Sequence, residues 1–275
     1  MSPVDTAGLA DAARPADSTR RFDNQVVVVT GGGRGIGAAY ARMFAARGAK
    51  VVVNDLDEDA ARKSATAVGG LAVPGDAATE AGVELLIGTA RELAGPIDVY
   101  CANAGVARPG LVEVAEKDWE ISWQVNVMAH VRASRALIPQ WVSQGRGMFV
   151  STVSAAGLLT IPGAAPYAVT KHAAFAYAEW LAMTYADAGV RVHAVCPQGV
   201  RTQMLEDSGP AGRALMEKSA IEADDVAAAL LAAIGTGRFL VLPHPEVAAM
   251  YAGRAADPDR WLRGMRRQNK SLPQQ

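Results

Sequence analysis

Gln25-Val26-Val27-Val28-Val29-Thr30-Gly31-Gly32-Gly33-Arg34-Gly35-Ile36-Gly37 is the stretch on which the fold turns. Its run of four valines reads as a short strand buried on both faces, as strands of a parallel sheet are. The glycines after it permit a sharp turn, let backbone approach a pyrophosphate, and let the next helix pack on the strand. A helical pattern runs from Ala38 to about Arg47, with Gly48 as its stop. A helix starting at such a turn offers free N–H groups and a partial positive charge to phosphate.

The same rhythm continues outward. Strands are expected at Val51-Val52-Val53, Leu71-Ala72-Val73, Ile97 to Cys101, Met148 to Ser151, Val190 to Val195 and Phe239 to Leu242. Helices are expected at Asp57 to Val68, Ala81 to Leu93, Asp118 to Gly145, Tyr167 to Ala188 and Asp224 to Ile234, with 198–220 irregular and then weakly helical. Strand and helix alternating without a linker predict an α/β fold: a Rossmann-like, doubly wound parallel sheet with helices on both faces, in a single domain. The 275 residues suit one such domain of about 250 residues with tails. The domain is expected over 23–245, including a substrate loop at 198–220. Residues 1–22 read as a flexible arm and 246–275 as a C-terminal extension.

Composition narrows the functional classes. Half the residues are hydrophobic and a fifth charged, which excludes global disorder. A net charge of −1 gives no field to draw nucleic acid or an anionic membrane. No apolar run approaches the roughly 20 residues of a membrane span. Cys101 and Cys196 are too few for a disulfide framework or a thiolate metal site, so no metal and a reducing compartment, the cytoplasm, are expected. In the arm, Arg14, Arg20 and Arg21 alternate with Asp5, Asp11 and Asp17, without the apolar run of a secretory signal.

Asp55 ends the second strand, 18 residues after Gly37. A carboxylate there accepts hydrogen bonds from both hydroxyls of an adenosine ribose and repels a 2′-phosphate, favouring NAD over NADP. Arg34 is the opposing signal, since it could reach toward that phosphate. Asn103-Ala104-Gly105 follows the strand ending at Cys101, and its small residues leave room for a flat ligand at the sheet crevice. Tyr167 and Lys171, at i and i+4 on an expected helix, project from one face. A cation beside a phenol lowers its pKa from about 10, letting it exchange a proton with an alcohol. Ser154, 13 residues upstream of Tyr167 in a strand-end loop, could hydrogen-bond the same substrate oxygen.

Together these residues resemble the short-chain dehydrogenase/reductase superfamily, in its single-domain branch, over about 23–242. Thr30 to Gly37 is similar to its cofactor turn, with Gly31, Gly33, Arg34, Gly35, Ile36 and Gly37 as cofactor contacts. Asp76, with Ala77 beside it, resembles the adenine-contacting acid, and Asn103, Ala104 and Gly105 the central-strand motif. Asn126 falls where the family has an Asn in the fourth helix, and Ser154, Tyr167 and Lys171 match its catalytic trio. The resemblance implies Tyr167 as acid/base and Lys171 as the group that lowers its pKa and holds the nicotinamide ribose. It implies Ser154 as positioning the substrate oxygen and Asn126 as holding a water through its backbone. Pro197, Gly199, Val200 and Thr202 resemble the segment lining the nicotinamide. The chain departs at Gln198, where a Gly is usual, and at Ala102, where a first Asn is common.

The resemblance implies an NAD-dependent oxidoreductase, with NADP less favoured, acting between a secondary alcohol and its ketone. The substrate-facing segments hold Leu158, Leu159, Ile161 and Pro162, then Met204, Leu205, Leu215 and Met216, which suits a hydrophobic, alicyclic or aryl-substituted substrate. No Arg or Lys cluster awaits a carboxylate, and Arg201 and Arg213 read as surface charges. Trp261 and Leu262 among Arg254, Arg260, Arg263, Arg266 and Arg267 read either as an amphipathic helix, on a neighbouring subunit or over the pocket, or as an exposed tail. A homotetramer or homodimer built through the helices at 118–145 and 167–188 is also implied. The alternatives are an NADP-dependent ketone reductase, a non-catalytic dinucleotide sensor, which would not need Tyr167 and Lys171, and a methyltransferase on a similar sheet.

Overall fold

A computed structural model describes residues 21–272. The expected arm therefore lies almost wholly outside the described residues. Seven strands form one sheet: β1 Val26–Thr30, β2 Lys50–Asn54, β3 Leu71–Ala72, β4 Ile97–Ala102, β5 Gly147–Thr152, β6 Val190–Val195 and β7 Leu240–Val241. Their order is β3-β2-β1-β4-β5-β6-β7, and every pairing is parallel. The chain winds from β1 to one edge, then returns to lay β4 on the other side of β1. The crevice at the carboxyl ends of β1 and β4 is thus a topological switch point.

All five residues of β1 are buried. Val26 and Val28 face one core layer and Val27 and Val29 the other, as the two-residue period of a strand requires. On the first layer pack α3 Glu80–Ala94, α5 Ala129–Gln144 and α7 Ala165–Tyr185, bringing Leu86, Leu137, Trp141 and Leu181. On the second pack α1 Gly35–Ala45, α2 Glu58–Ala67 and α10 Ala223–Thr236, bringing Tyr40, Phe44, Ala61 and Leu230.

Phe22, assigned to the arm by sequence, belongs to the core. It is fully buried, meets Phe44 edge-on at 4.8 Å and donates its N–H to Arg47 O at 2.9 Å. The expected boundary at 245 is likewise not a break in packing, because Val247 is fully buried in the first layer. It opens α11 Glu246–Ala256, which is followed by α12 Pro258–Ser271.

The long helix expected from Asp118 has an interruption that periodicity does not reveal. It consists of α4 Glu116–Trp123, a π turn at Gln124–Met128, and α5. The irregular stretch folds into α6 Ala156–Leu159 after β5, and α8 Gln203–Glu206, α9 Gly209–Met216 and a 3₁₀ turn at Glu217–Ser219 after β6. The third and seventh strands are two residues each, shorter than expected.

Candidate active site

At the crevice lies a cavity of about 1800 Å³. One side is the β1–α1 turn. Gly31 has φ +58°, and a Cβ there would come within 2.9 Å of Ala104 Cα. A Cβ on Gly37 would stand 2.1 Å from Gly31 O, and one on Gly33 would stand 2.8 Å from both Ala60 Cβ and Asp55 Oδ2. Glycine is therefore a steric requirement at these positions. The turn is braced from below by Thr30, a residue the sequence reading did not single out. Its hydroxyl donates to Cys101 O at 3.2 Å and accepts from Asn103 N at 3.0 Å and Ala104 N at 3.1 Å. Asn103 Nδ2 donates to Thr30 O at 3.0 Å and Gly31 O at 3.2 Å. Asn103 thus fastens two strand ends across the switch point.

Asp55 directly follows β2, with Oδ2 accepting from Gly33 N at 3.0 Å and Oδ1 from Asp57 N at 3.1 Å. The rival signal, Arg34, forms an ion pair with Asp57 at 2.9 Å. Asp76 Oδ1 accepts from Ala78 N at 2.9 Å, an Asx turn that shapes the adjacent wall. Gly31, Arg34, Gly35, Ile36, Asp55, Asp76, Ala77, Asn103, Ala104 and Gly105 all line the cavity, as do Pro197, Gly199, Val200 and Thr202. Gly33 and Gly37 lie behind this surface and shape it. The cradle fits a dinucleotide: glycines with no room for side chains at a helix start, and a carboxylate at the end of the next strand.

The trio faces the same cavity from the opposite side. Lys171 is almost fully buried and donates to Thr152 O at 2.8 Å. Its Nζ lies 5.8 Å from the centre of the Tyr167 ring. Burial pushes the Lys171 ammonium down to about 8, which neighbouring Cys196 opposes, while the Cys196 thiol is itself pushed by burial up to about 12. The Tyr167 hydroxyl is raised above an ordinary phenol by burial, and Ser154 opposes that shift through a hydrogen bond. The depression of Tyr167 expected from Lys171 is therefore not produced by the protein groups alone. The ammonium spends a hydrogen bond on Thr152 O and lies over the ring, so desolvation dominates. Ser154 Oγ accepts from Ala156 N at 3.1 Å and lies 3.4 Å from Pro197 O.

Asn126 does not line the cavity. It sits fully buried in the π turn, its Oδ1 accepting from Val106 N and its Nδ2 donating to Val106 O and Thr170 Oγ1, all at 3.0 Å. A Cβ on Gly105 would stand 3.3 Å from Asn126 Oδ1 and 3.4 Å from Lys171 Nζ, so Gly105 brings these two groups together. His130 follows directly on α5, its Nδ1 sharing a hydrogen bond with Ser151 Oγ at 3.1 Å. Burial, with Lys171 nearby, pushes it down to about 3.

The substrate-side walls include Leu159, Ile161, Pro162, Met204, Leu205, Leu215 and Met216, while Leu158 is buried behind them. Gln198 also lines the cavity; its N donates to His244 Nδ1 at 3.1 Å. Arg201 pairs with Glu222 at 3.1 Å and Arg213 donates to Glu206 O at 2.7 Å, both off the cavity. The C-terminal segment forms a helix, α12, whose Trp261, Gly264 and Met265 line the cavity, as does Leu272 just after it, while Leu262 is exposed. The sequence reading found no cluster of cations awaiting a carboxylate, but Arg260, Arg267 and Lys270 of the C-terminal segment line the cavity. Arg254 of α11 donates to Leu158 O and approaches His172 Nε2 at 3.1 Å, tying this segment to the catalytic wall.

Comparison with known proteins agrees with this geometry. The short chain dehydrogenase family profile matches residues 25–212. The 1-deoxy-11-beta-hydroxypentalenate dehydrogenase of Streptomyces exfoliatus is 36% identical over 238 residues, covering 82% of this chain and 85% of that protein. The meso-2,3-butanediol dehydrogenase of Serratia marcescens is 37% identical over 188 residues, 67% of this chain and 74% of that one. A crystal structure of a short chain dehydrogenase/reductase from Burkholderia phymatum in complex with NAD superposes with a TM-score of 0.81 at 30% identity, covering 88% of this chain and 96% of that one. The chain belongs to the short-chain dehydrogenase/reductase superfamily of oxidoreductases.

Proposed function

We propose that the protein is an NAD-dependent dehydrogenase that interconverts a largely hydrophobic secondary alcohol and its ketone. The observation that carries this reading is one cavity walled on one side by the glycine cradle and Asp55 and on the other by Ser154, Tyr167 and Lys171. Bound in that cradle, a nicotinamide dinucleotide would supply the hydride acceptor or donor. The chain's own residues orient the substrate and move the proton. Ser154 Oγ holds the substrate oxygen beside Tyr167, and the Tyr167 hydroxyl takes the proton from the alcohol or returns it to the ketone oxygen. Lys171, held by Thr152 O, keeps a positive charge behind the phenol and is placed for the nicotinamide ribose. Asn126 locks Val106 against Thr170, and the π turn it occupies presents backbone near Lys171 for proton exchange with solvent.

NAD is favoured over NADP because Asp55 stands where a 2′-phosphate would lie and Arg34 is engaged by Asp57. The names of two relatives, a hydroxypentalenate dehydrogenase and a butanediol dehydrogenase, support a hydroxyl-bearing substrate. The subunits associate through α4 and α7, whose outer faces leave Trp123, Val169, Trp180 and Met183 exposed. The cytoplasm is the proposed location. Absorbance of reduced nicotinamide, followed with NAD or NADP and a panel of alicyclic and aryl secondary alcohols, tests the reading. Turnover with NAD, slower with NADP, is expected. Turnover with NADP alone would overturn the cofactor assignment, and none with any alcohol the substrate class.

A further inference from the structure

α12 borders the cavity with an uneven face. Trp261 and Met265, one turn apart, put apolar surface against it. Arg260, Gly264 and Arg267 form the adjacent row, at the three- and four-residue spacing that shares a helix face, and all three line the cavity. The two arginines lie about 10 Å apart along the axis. Between them Gly264 has no side chain, and a Cβ there would meet nothing within 4 Å. The row is therefore an open notch flanked by two exposed guanidiniums, beside the apolar surface of Trp261 and Met265. Among the described residues, neither guanidinium takes part in an ion pair. The acids on the same wall are otherwise engaged. Asp257 caps α12 by accepting from Arg260 N at 2.8 Å, Asp207 accepts from Gln203 Nε2 at 3.0 Å, and Glu246 sits in the first turn of α11, where the helix N-terminus favours it.

We infer that the physiological substrate carries a carboxylate, or a group of like charge and shape, opposite its reacting alcohol, and that Arg260 and Arg267 hold it in the Gly264 notch. The substrate is then a hydrophobic hydroxy acid rather than a neutral alcohol. Planar guanidiniums match a carboxylate through paired N–H donors. The inference rests on the reading of this cavity as the site of alcohol–ketone exchange, and it names the substrate class of that site.

Isothermal titration with NAD present, using cyclohexanecarboxylate and its neutral isostere cyclohexanecarboxamide, tests it without turnover. The carboxylate is expected to bind about tenfold more tightly. That preference should fall at least about fivefold in R260Q/R267Q, which removes both guanidiniums and leaves Lys270 on the cavity wall, and in Gly264→Leu, which fills the notch. Both changes lie on the exposed face of a terminal helix, and an unchanged melting temperature checks folding. Equal affinity for the two probes, no binding of the carboxylate, or a preference that survives both variants would overturn the proposal. Weakened NAD affinity in R260Q/R267Q would assign the cations to the cofactor's phosphates and would also overturn it. A parallel NAD-reduction assay with 4-hydroxycyclohexanecarboxylate and with neutral secondary alcohols separates the two readings. Turnover without carboxylate preference sinks the notch alone, whereas turnover of neither class sinks the alcohol reading and the substrate assignment with it.

Discussion

His130 shows what the catalytic wall costs in stability. The imidazole is almost fully buried, its Nε2 has no hydrogen-bond partner, and its neighbour is the Lys171 ammonium. In the folded chain it titrates at about 3, against about 6.5 unfolded. As pH falls the unfolded chain takes up this proton first. The stability tied to the neutral ring is fully present above about pH 6.5 and is lost as pH falls toward 3, to a limit of roughly 5 kcal/mol. His130→Gln is expected to flatten this acid limb, as read from melting temperature between pH 7 and 4. An unchanged limb would place the titrating group elsewhere. The proposed preference for NAD also turns on single residues. Sequence shows Asp55 and Arg34 as rivals, because it cannot show that Asp57, two residues on, engages the guanidinium.

The β1–α1 turn is the element most constrained by shape. Gly37→Ala would drive a methyl into Gly31 O, 2.1 Å away, and so displace the backbone that forms the cradle. A loss of about 1–3 kcal/mol in urea unfolding is expected, with at least tenfold weaker NAD binding. Gly88→Ala, on the exposed face of α3 with nothing within 4 Å, should instead stabilise by about 0.5–1 kcal/mol and leave NAD binding unchanged. Equal effects at the two positions would refute the steric account. The elements differ in how plainly the sequence announces them. The valine run of β1 and the Tyr167/Lys171 spacing are local patterns, legible because one strand or one helical turn contains them. The π turn holding Asn126 is not, since one inserted residue leaves the apolar period of a long helix nearly unchanged. Thr30 was missed because its importance lies in bonds to Cys101, Asn103 and Ala104, about 70 residues away.

At the scale of the whole molecule, the parallel order β3-β2-β1-β4-β5-β6-β7 puts the ends of β1, β2 and β4 beside the glycine cradle and those of β5 and β6 beside Ser154, Tyr167 and Lys171. Alternation of strand and helix made this arrangement readable. The placement of α12 was not readable, since an amphipathic stripe declares that it packs and not on what. The exposed apolar residues of α4 and α7 predict association: light scattering is expected to give a dimer or tetramer, with Trp180→Glu shifting it toward monomer. A monomeric wild type would contradict this.

The central claim is that Tyr167 moves the proton in a reaction whose cofactor sits in the glycine cradle. Its most direct test compares Tyr167→Phe with wild type in two measurements, NAD affinity by titration and NAD-dependent oxidation of a secondary alcohol by absorbance. The account predicts NAD affinity within about twofold of wild type and turnover reduced by about 100-fold or more. Turnover that survives the loss of the hydroxyl would contradict it.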